Sequence, residues 1–166
     1  MLATSADDGL RQRILVLRKV LPATRQLLMH TDLRSAKVQA IRRNPQVTWL
    51  FYDHVQQVQL HIQARAVIHH DDAIADELWA SETESSLRCY LAPRTPGSAS
   101  VHPDCNLPEH VRGRIPQRTE VQVGRANFAV IVSHVLQMEW LKLHPDGNRR
   151  AIIRPCETSP SEWLSV

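Results

Sequence analysis

The stretch VQLHIQARAVIH, residues 58–69, constrains the fold most, because it contains no glycine or proline and alternates from Val58 to Ala66. Val58, Leu60, Ile62, Ala64, Ala66 and Ile68 share one face, while Gln59, His61, Gln63 and Arg65 share the other. A period of two is the signature of a half-buried strand, so the spacing predicts a strand over 57–69. One face lines a core and the other meets water or a ligand.

The same reading extends along the chain. Short β-branched and apolar runs at Met1–Ser5 and Gln12–Val20 flank Asp7-Asp8-Gly9, a hairpin turn with glycine where positive φ is needed. Gln26–Thr31 and Gln46–Tyr52 are strand-like, and between them RSAKVQAIRRNP shifts to a helical period and closes at Pro45. Asp71 or Asp72 caps a helix running through Trp79, and Ser85–Leu91 suits another. A stretch rich in Pro, Gly and Ser from Pro93 to about Pro116 reads as a loop or lid. Asn127–Val135, Met138–Leu143 and Arg149–Arg154 read as closing strands, with Pro145-Asp146-Gly147-Asn148 turning between the last two. Many strands and few helices imply a closed or nearly closed antiparallel barrel, which removes exposed edges.

Composition enters as a bound. The 166 residues, 43% apolar, suffice for one core, so one domain over 1–166 is expected. Twenty Lys and Arg against seventeen Asp and Glu are scattered rather than clustered, which suits phosphorylated small molecules and argues against nucleic acid as a partner. Cys89, Cys105 and Cys156 are odd in number and lack CxxC spacing, so neither a disulfide framework nor a zinc site is expected. No apolar run approaches a membrane span, and MLATSADDGL has no secretory pattern, so no membrane association and a cytoplasmic location are expected.

Several clusters could carry chemistry. In HTDLRSAK, Thr31, Arg34, Ser35 and Lys37 surround an expected helix start, where unpaired N–H groups and the helix dipole favour an anion; Ser35 acting only as a cap is the alternative. Arg13 and Arg18 in RILVLR fall on opposite faces of a continuous strand, so one phosphate held by both is not expected. His69-His70-Asp71-Asp72 offers metal-ligand side chains, or a strand end followed by a helix cap. Trp49, Trp79, Trp140 and Trp163 suit core or interface positions. Cys89 is either structural or a nucleophile that would need a base the sequence does not assign.

In order along the chain, RILVLR, HTDLRSAK, NPQVTWLFY and VQLHIQARA resemble the RxVLLK, YTNxxSRK, NPxxxLLFYW and RQVRVEGR segments of the pyridoxamine 5′-phosphate oxidase family of flavin mononucleotide (FMN)-binding split barrels. The resemblance implies a mainly β, antiparallel split barrel with a few short peripheral helices. It implies that Arg13, Ile14, Leu15, Val16 and Arg18 contact FMN, that His30, Thr31 and Lys37 surround its phosphate with Ser35, and that Gln59 hydrogen-bonds the flavin edge. Ala36 stands where the family has arginine, and Arg34 is the cation available to replace it. Tyr90, Arg94 and Ser98 match the family's substrate-phosphate trio, chemistry that a guanidinium and two hydroxyls suit; a half-buried tyrosine beside polar loop residues is the alternative. Trp140 falls where the family places an aromatic near the flavin, whereas Asn148, Arg149 and Arg150 match its RLHxR segment only loosely.

The implied protein is a homodimer with FMN at the subunit interface. It oxidises pyridoxamine or pyridoxine 5′-phosphate, or another small phosphorylated substrate, by hydride transfer to the flavin. A flavin reductase or oxidase of another small molecule and a non-catalytic flavin-binding protein are the alternatives.

Overall fold

The computed structural model describes residues 1–7, 9–155 and 161–166. The chain divides into two compact units, the first comprising residues 1–29, 40–67 and 132–166 and the second residues 30–39 and 68–131. Asp8 and Cys156 lie outside the described residues.

The first unit is built on antiparallel pairing. Strands β1 (Leu2–Ala6) and β2 (Gly9–Arg13) form the expected opening hairpin, with Ala6 opposite Gly9 and Gly9 at φ +117°. Such a φ is open to glycine because it has no Cβ. The chain continues through β3 (Lys19–Leu21), β4 (Gln26–Asp32), helix α1 (Ala36–Arg43), β5 (Gln46–Asp53) and β6 (Val58–His69). It then passes through the second unit to β7 (Phe128–Lys142), β8 (Arg149–Ile153) and β9 (Ser161–Leu164). The hydrogen-bonded order is β2-β1-β5-β6-β7-β4-β3, with β8 and β9 branching from β7. Among the described residues this is a path with end strands rather than a ring, so strand pairing does not make the expected closure.

Alternation in β6 holds where the sequence is clearest. Ile62, Ala64 and Ala66 are buried, while Gln63, Arg65 and Val67 are exposed. Leu2, Trp49 and Ile62 join Leu27, Leu28 and Met29 in this unit's core. There the buried Trp49 indole N–H donates to Ser133 Oγ at 3.1 Å, satisfying two groups whose burial would otherwise be costly.

Two strand expectations change. Gln12–Val20 is not one strand: β2 ends at Arg13, and residues 14–18 have no regular structure before β3. The alternation of Ile14 and Val16 with Leu15 and Leu17 persists as exposed and half-buried positions, which gives the segment its strand-like sequence. The opposite-face argument for Arg13 and Arg18 therefore lapses beyond Arg13. Conversely, the strands expected over Asn127–Val135 and Met138–Leu143 are one strand, β7, because nothing between Val135 and Met138 is a turn residue.

The second unit is helical and looped around an aromatic cluster. Helix α2 (Ala73–Ser81) starts as expected at Asp72, whose side chain accepts from Ala75 N–H at 3.0 Å. The short helices α3 (Glu84–Leu87) and α4 (Arg118–Val121) follow, and a 3-10 turn at Arg88–Leu91 continues α3. Phe128 is packed edge-on by Trp79 at 5.2 Å and Tyr90 at 5.0 Å between ring centroids. At Gly124 in a further 3-10 segment, a Cβ would lie 3.1–3.2 Å from Tyr90 backbone and Cβ atoms, so the close approach favours glycine.

Candidate functional site

The turn from β4 into α1 gathers the clearest set of polar groups in the second unit. Asp32 initiates it, accepting from Arg34 N–H at 2.8 Å, while Ser35 N–H donates to the Asp32 carbonyl at 3.1 Å. This side-chain-to-backbone bond stops the strand and sets up the helix. Thr31 and Ser35 are both buried, and Lys37 Nζ donates to each hydroxyl at 3.1 Å. The two hydroxyl oxygens are 3.3 Å apart. An ammonium and two rotatable hydroxyls therefore converge beside the first N–H groups of α1. When an anion arrives, the hydroxyls can turn from accepting to donating without moving a heavy atom, so the arrangement is suited to phosphate oxygen.

Arg34 does not share this convergence. Its Nε and Nη2 bind the Asp32 carboxylate at 3.0 and 2.7 Å, and the guanidinium also donates to the carbonyls of Ala92 at 2.8 Å and Pro93 at 3.4 Å. The Asp32 hydrogen bond raises the Arg34 pKa further. Arg34 thus braces the start of the 93–116 loop. His30, its side chain 4% exposed, lies with Nδ1 3.5 Å from Glu82 and its ring edge-on to Phe128 at 4.9 Å.

In the first unit, Arg13 Nη1 donates to Thr4 Oγ1 at 2.7 Å. Burial, and then neighbouring Arg11, lowers the Arg13 pKa. Ile14 and Val16 are 87% and 61% exposed, Leu15 is half-buried, and Arg18 N–H donates to Leu28 O at 2.9 Å. Gln59 is half-buried opposite Tyr52 on β5. Trp140 meets Trp163 edge-on at 6.2 Å.

The Tyr90, Arg94 and Ser98 side chains go to different surroundings. Tyr90 is buried in the aromatic cluster, whereas Arg94 turns to Asp104, with Nη2 2.6 Å from Oδ2. Ser98 contributes its N–H to Thr95 O at 3.1 Å, and the hydroxyl within 3.4 Å of the Arg94 guanidinium belongs to Ser100. Sequence reasoning singled out none of Asp32, Ser100, Asp104, Asn106 and Arg112. Asp32 had a signal in its spacing of two from Arg34 beside a helix start; the loop residues had none, because no period operates there.

The other candidates resolve plainly. His69 Nδ1 meets Asp72 at 2.8 Å and His70 Nδ1 meets Phe128 O at 2.8 Å, so this segment is a strand end followed by a cap. The Asp72 carboxyl is held below its usual range, chiefly by the Ala75 N–H and then by His69. Cys89 is exposed, with Sγ donating to Ser86 O at 3.4 Å.

Antiparallel strands with short helices in this order define the class: an FMN-binding-type split barrel, mainly β. The chain belongs to the pyridoxamine 5′-phosphate oxidase family, whose model its residues 1–104 match. Among solved structures it is similar to a pyridoxamine 5′-phosphate oxidase-related, FMN-binding protein of Nostoc punctiforme. That pair has a TM-score of 0.75 and 21% identity, covering 99% of this chain and 86% of the other. It is also similar to PhzG of Burkholderia lata, solved with tetrahydrophenazine-1-carboxylic acid, with a TM-score of 0.66 and 17% identity over 99% and 79% of the two chains. A third is a Clostridium acetobutylicum protein related to general stress protein 26, with a TM-score of 0.57 and 12% identity over 90% and 82%. No curated protein matches the chain.

Proposed function

We propose that this protein is an FMN-dependent oxidoreductase that oxidises a small phosphorylated substrate of the pyridoxamine or pyridoxine 5′-phosphate kind. The observation that carries the reading is the convergence of Lys37 on the buried Thr31 and Ser35 hydroxyls, a donor set that fits the FMN phosphate. Lys37, Thr31 and Ser35 would hold that phosphate. Arg34, its charge paired with Asp32, would brace the turn, and His30 would pack behind the group. Arg13, Ile14, Leu15, Val16, Arg18 and Gln59 would contact the rest of the cofactor. When bound, FMN supplies acceptance of a hydride equivalent, chemistry that no side chain here can provide. The chain's own part is to bind and orient: of Tyr90, Arg94 and Ser98, Arg94 would hold the substrate's anionic group.

The cofactor site is proposed to be completed by a second copy in a homodimer. Leu10, Ile14, Val16 and Val20 are 79%, 87%, 61% and 50% exposed within one short run, and an apolar run of that kind favours a covering partner. No helix among the described residues is long and apolar enough to cross a membrane. A cytoplasmic location is proposed, since the exposed Cys89 and Cys105 thiols suit a reducing compartment.

A second reading, oxidation of an unphosphorylated carboxylic acid, is favoured by Arg94 already holding a carboxylate. One experiment separates the readings: titration of the purified protein with FMN, followed by aerobic turnover of pyridoxamine 5′-phosphate measured as peroxide formed. Binding with turnover supports the first reading, while binding with turnover only of carboxylic acids supports the second. Wild-type protein that takes up no FMN overturns both.

A further inference from the structure

Residues 94–112 form a polar framework around one carboxylate. Asp104 Oδ2 accepts from Arg94 Nη2 at 2.6 Å, and Oδ1 accepts from Arg112 Nη2 at 3.4 Å and from Asn106 N–H at 3.1 Å. Asn106, at φ +53°, grips the Arg94 backbone from both sides: Oδ1 accepts the Arg94 N–H at 3.2 Å and Nδ2 donates to Arg94 O at 2.8 Å. Arg112 is anchored through Nε to Leu107 O at 2.9 Å. Two guanidiniums and a backbone N–H thus surround Asp104, while the Ser100 hydroxyl accepts from Arg94 at 3.4 Å and donates to His102 O at 2.7 Å. That is a donor set for an oxyanion.

We propose that Asp104 is a built-in stand-in for the ligand's anionic group, and that Arg94 and Arg112 together form the anion site, which a ligand occupies by displacing Asp104. The inference rests on the role given to Arg94 above and adds Arg112 and Asp104 to it. Asp104, Arg94 and Arg112 side chains are 32%, 43% and 50% exposed. Ion pairs so open to water are weak, so an incoming anion can exchange with this one.

The two guanidiniums also set selectivity. A carboxylate ligand replaces Asp104 like for like, whereas a phosphate dianion brings a second charge and a third oxygen to the two guanidiniums. The site therefore prefers phosphate to carboxylate, and the internal competitor lowers apparent affinity by the fraction of molecules in which the pair is open.

The test is calorimetric titration of the full chain, supplied with saturating FMN, using pyridoxine 5′-phosphate and pyridine-4-carboxylate as probes. Asp104→Asn keeps the acceptor for Asn106 N–H and removes the competing charge. It is expected to tighten pyridoxine 5′-phosphate and the carboxylate by the same factor, about two- to fivefold, because both displace the same competitor. Arg112→Ala is expected to weaken both probes in either background. If Asp104→Asn leaves affinity unchanged or lower while Arg94→Ala abolishes binding, the stand-in is overturned and the role of Arg94 stands. If Arg94→Ala also leaves affinity unchanged, both are overturned. Failure of wild type and Asp104→Asn to bind either probe likewise overturns the stand-in.

Discussion

Lys37 and Arg34 lie three residues apart, carry the same charge and have different jobs. Lys37 reaches two buried hydroxyls, so Lys37→Ala removes a charge-assisted donor worth about 1.5–3 kcal/mol. FMN affinity is expected to fall roughly ten- to hundredfold, read by fluorescence titration of the flavin. Arg34 is tied to Asp32 and two carbonyls, so Arg34→Ala is expected to lower the thermal midpoint and to change FMN affinity less than Lys37→Ala does. The sequence makes Thr31, Ser35 and Lys37 legible together, because hydroxyls and a cation cluster at a helix start. It does not say which cation the neighbouring Asp32 neutralises, since that depends on the turn's side-chain geometry. In the other unit, Ser133→Ala would leave the buried Trp49 N–H without its acceptor. A loss of about 1–3 kcal/mol is expected in denaturant unfolding.

At the scale of elements, legibility follows periodicity. β6 is readable over residues 62–67, where burial alternates, and α2 is readable because Asp72 marks its start. Residues 14–18 alternate outside any strand, β7 runs through a point where two strands were expected, and β9 carries too short a pattern to announce itself. α4 is held by a capping box in which Gln117 and Glu120 exchange hydrogen bonds. Arg114 first, and then the Gln117 N–H, hold the Glu120 carboxyl down to about 2 from a usual 4.5. A depressed carboxylate stabilises the fold fully above its unfolded pKa and progressively less as pH falls through the folded one. The thermal midpoint is therefore expected to decline from pH about 4.5 towards 2, and Glu120→Gln should make that decline shallower. Gly124→Ala would press a methyl against Tyr90 backbone atoms. It is expected to cost about 1–3 kcal/mol through overpacking and to shift near-ultraviolet circular dichroism from the aromatic cluster.

For the whole molecule, the ordered resemblance of four segments gave the family, and the match over residues 1–104 bears it out. The divergent remainder left the substrate less legible, because loop residues such as Asp104 and Arg112 obey no period. We propose that the two compact units form one folding domain, since β4, β6, β7 and α1 each contribute residues to both. One cooperative transition is expected by calorimetry and by circular dichroism; two separated transitions would refute it. Sedimentation is expected to give twice the chain mass of 18.9 kDa, and Val16→Glu should shift the protein to monomer with loss of FMN. Cys105, exposed in the sequence directly after Asp104, gives the loop a chemical handle. Once the exposed Cys89 is replaced by serine and Cys156 likewise, a nitroxide at Cys105 would turn the exchange of one carboxylate for another anion into a change of spectral line shape.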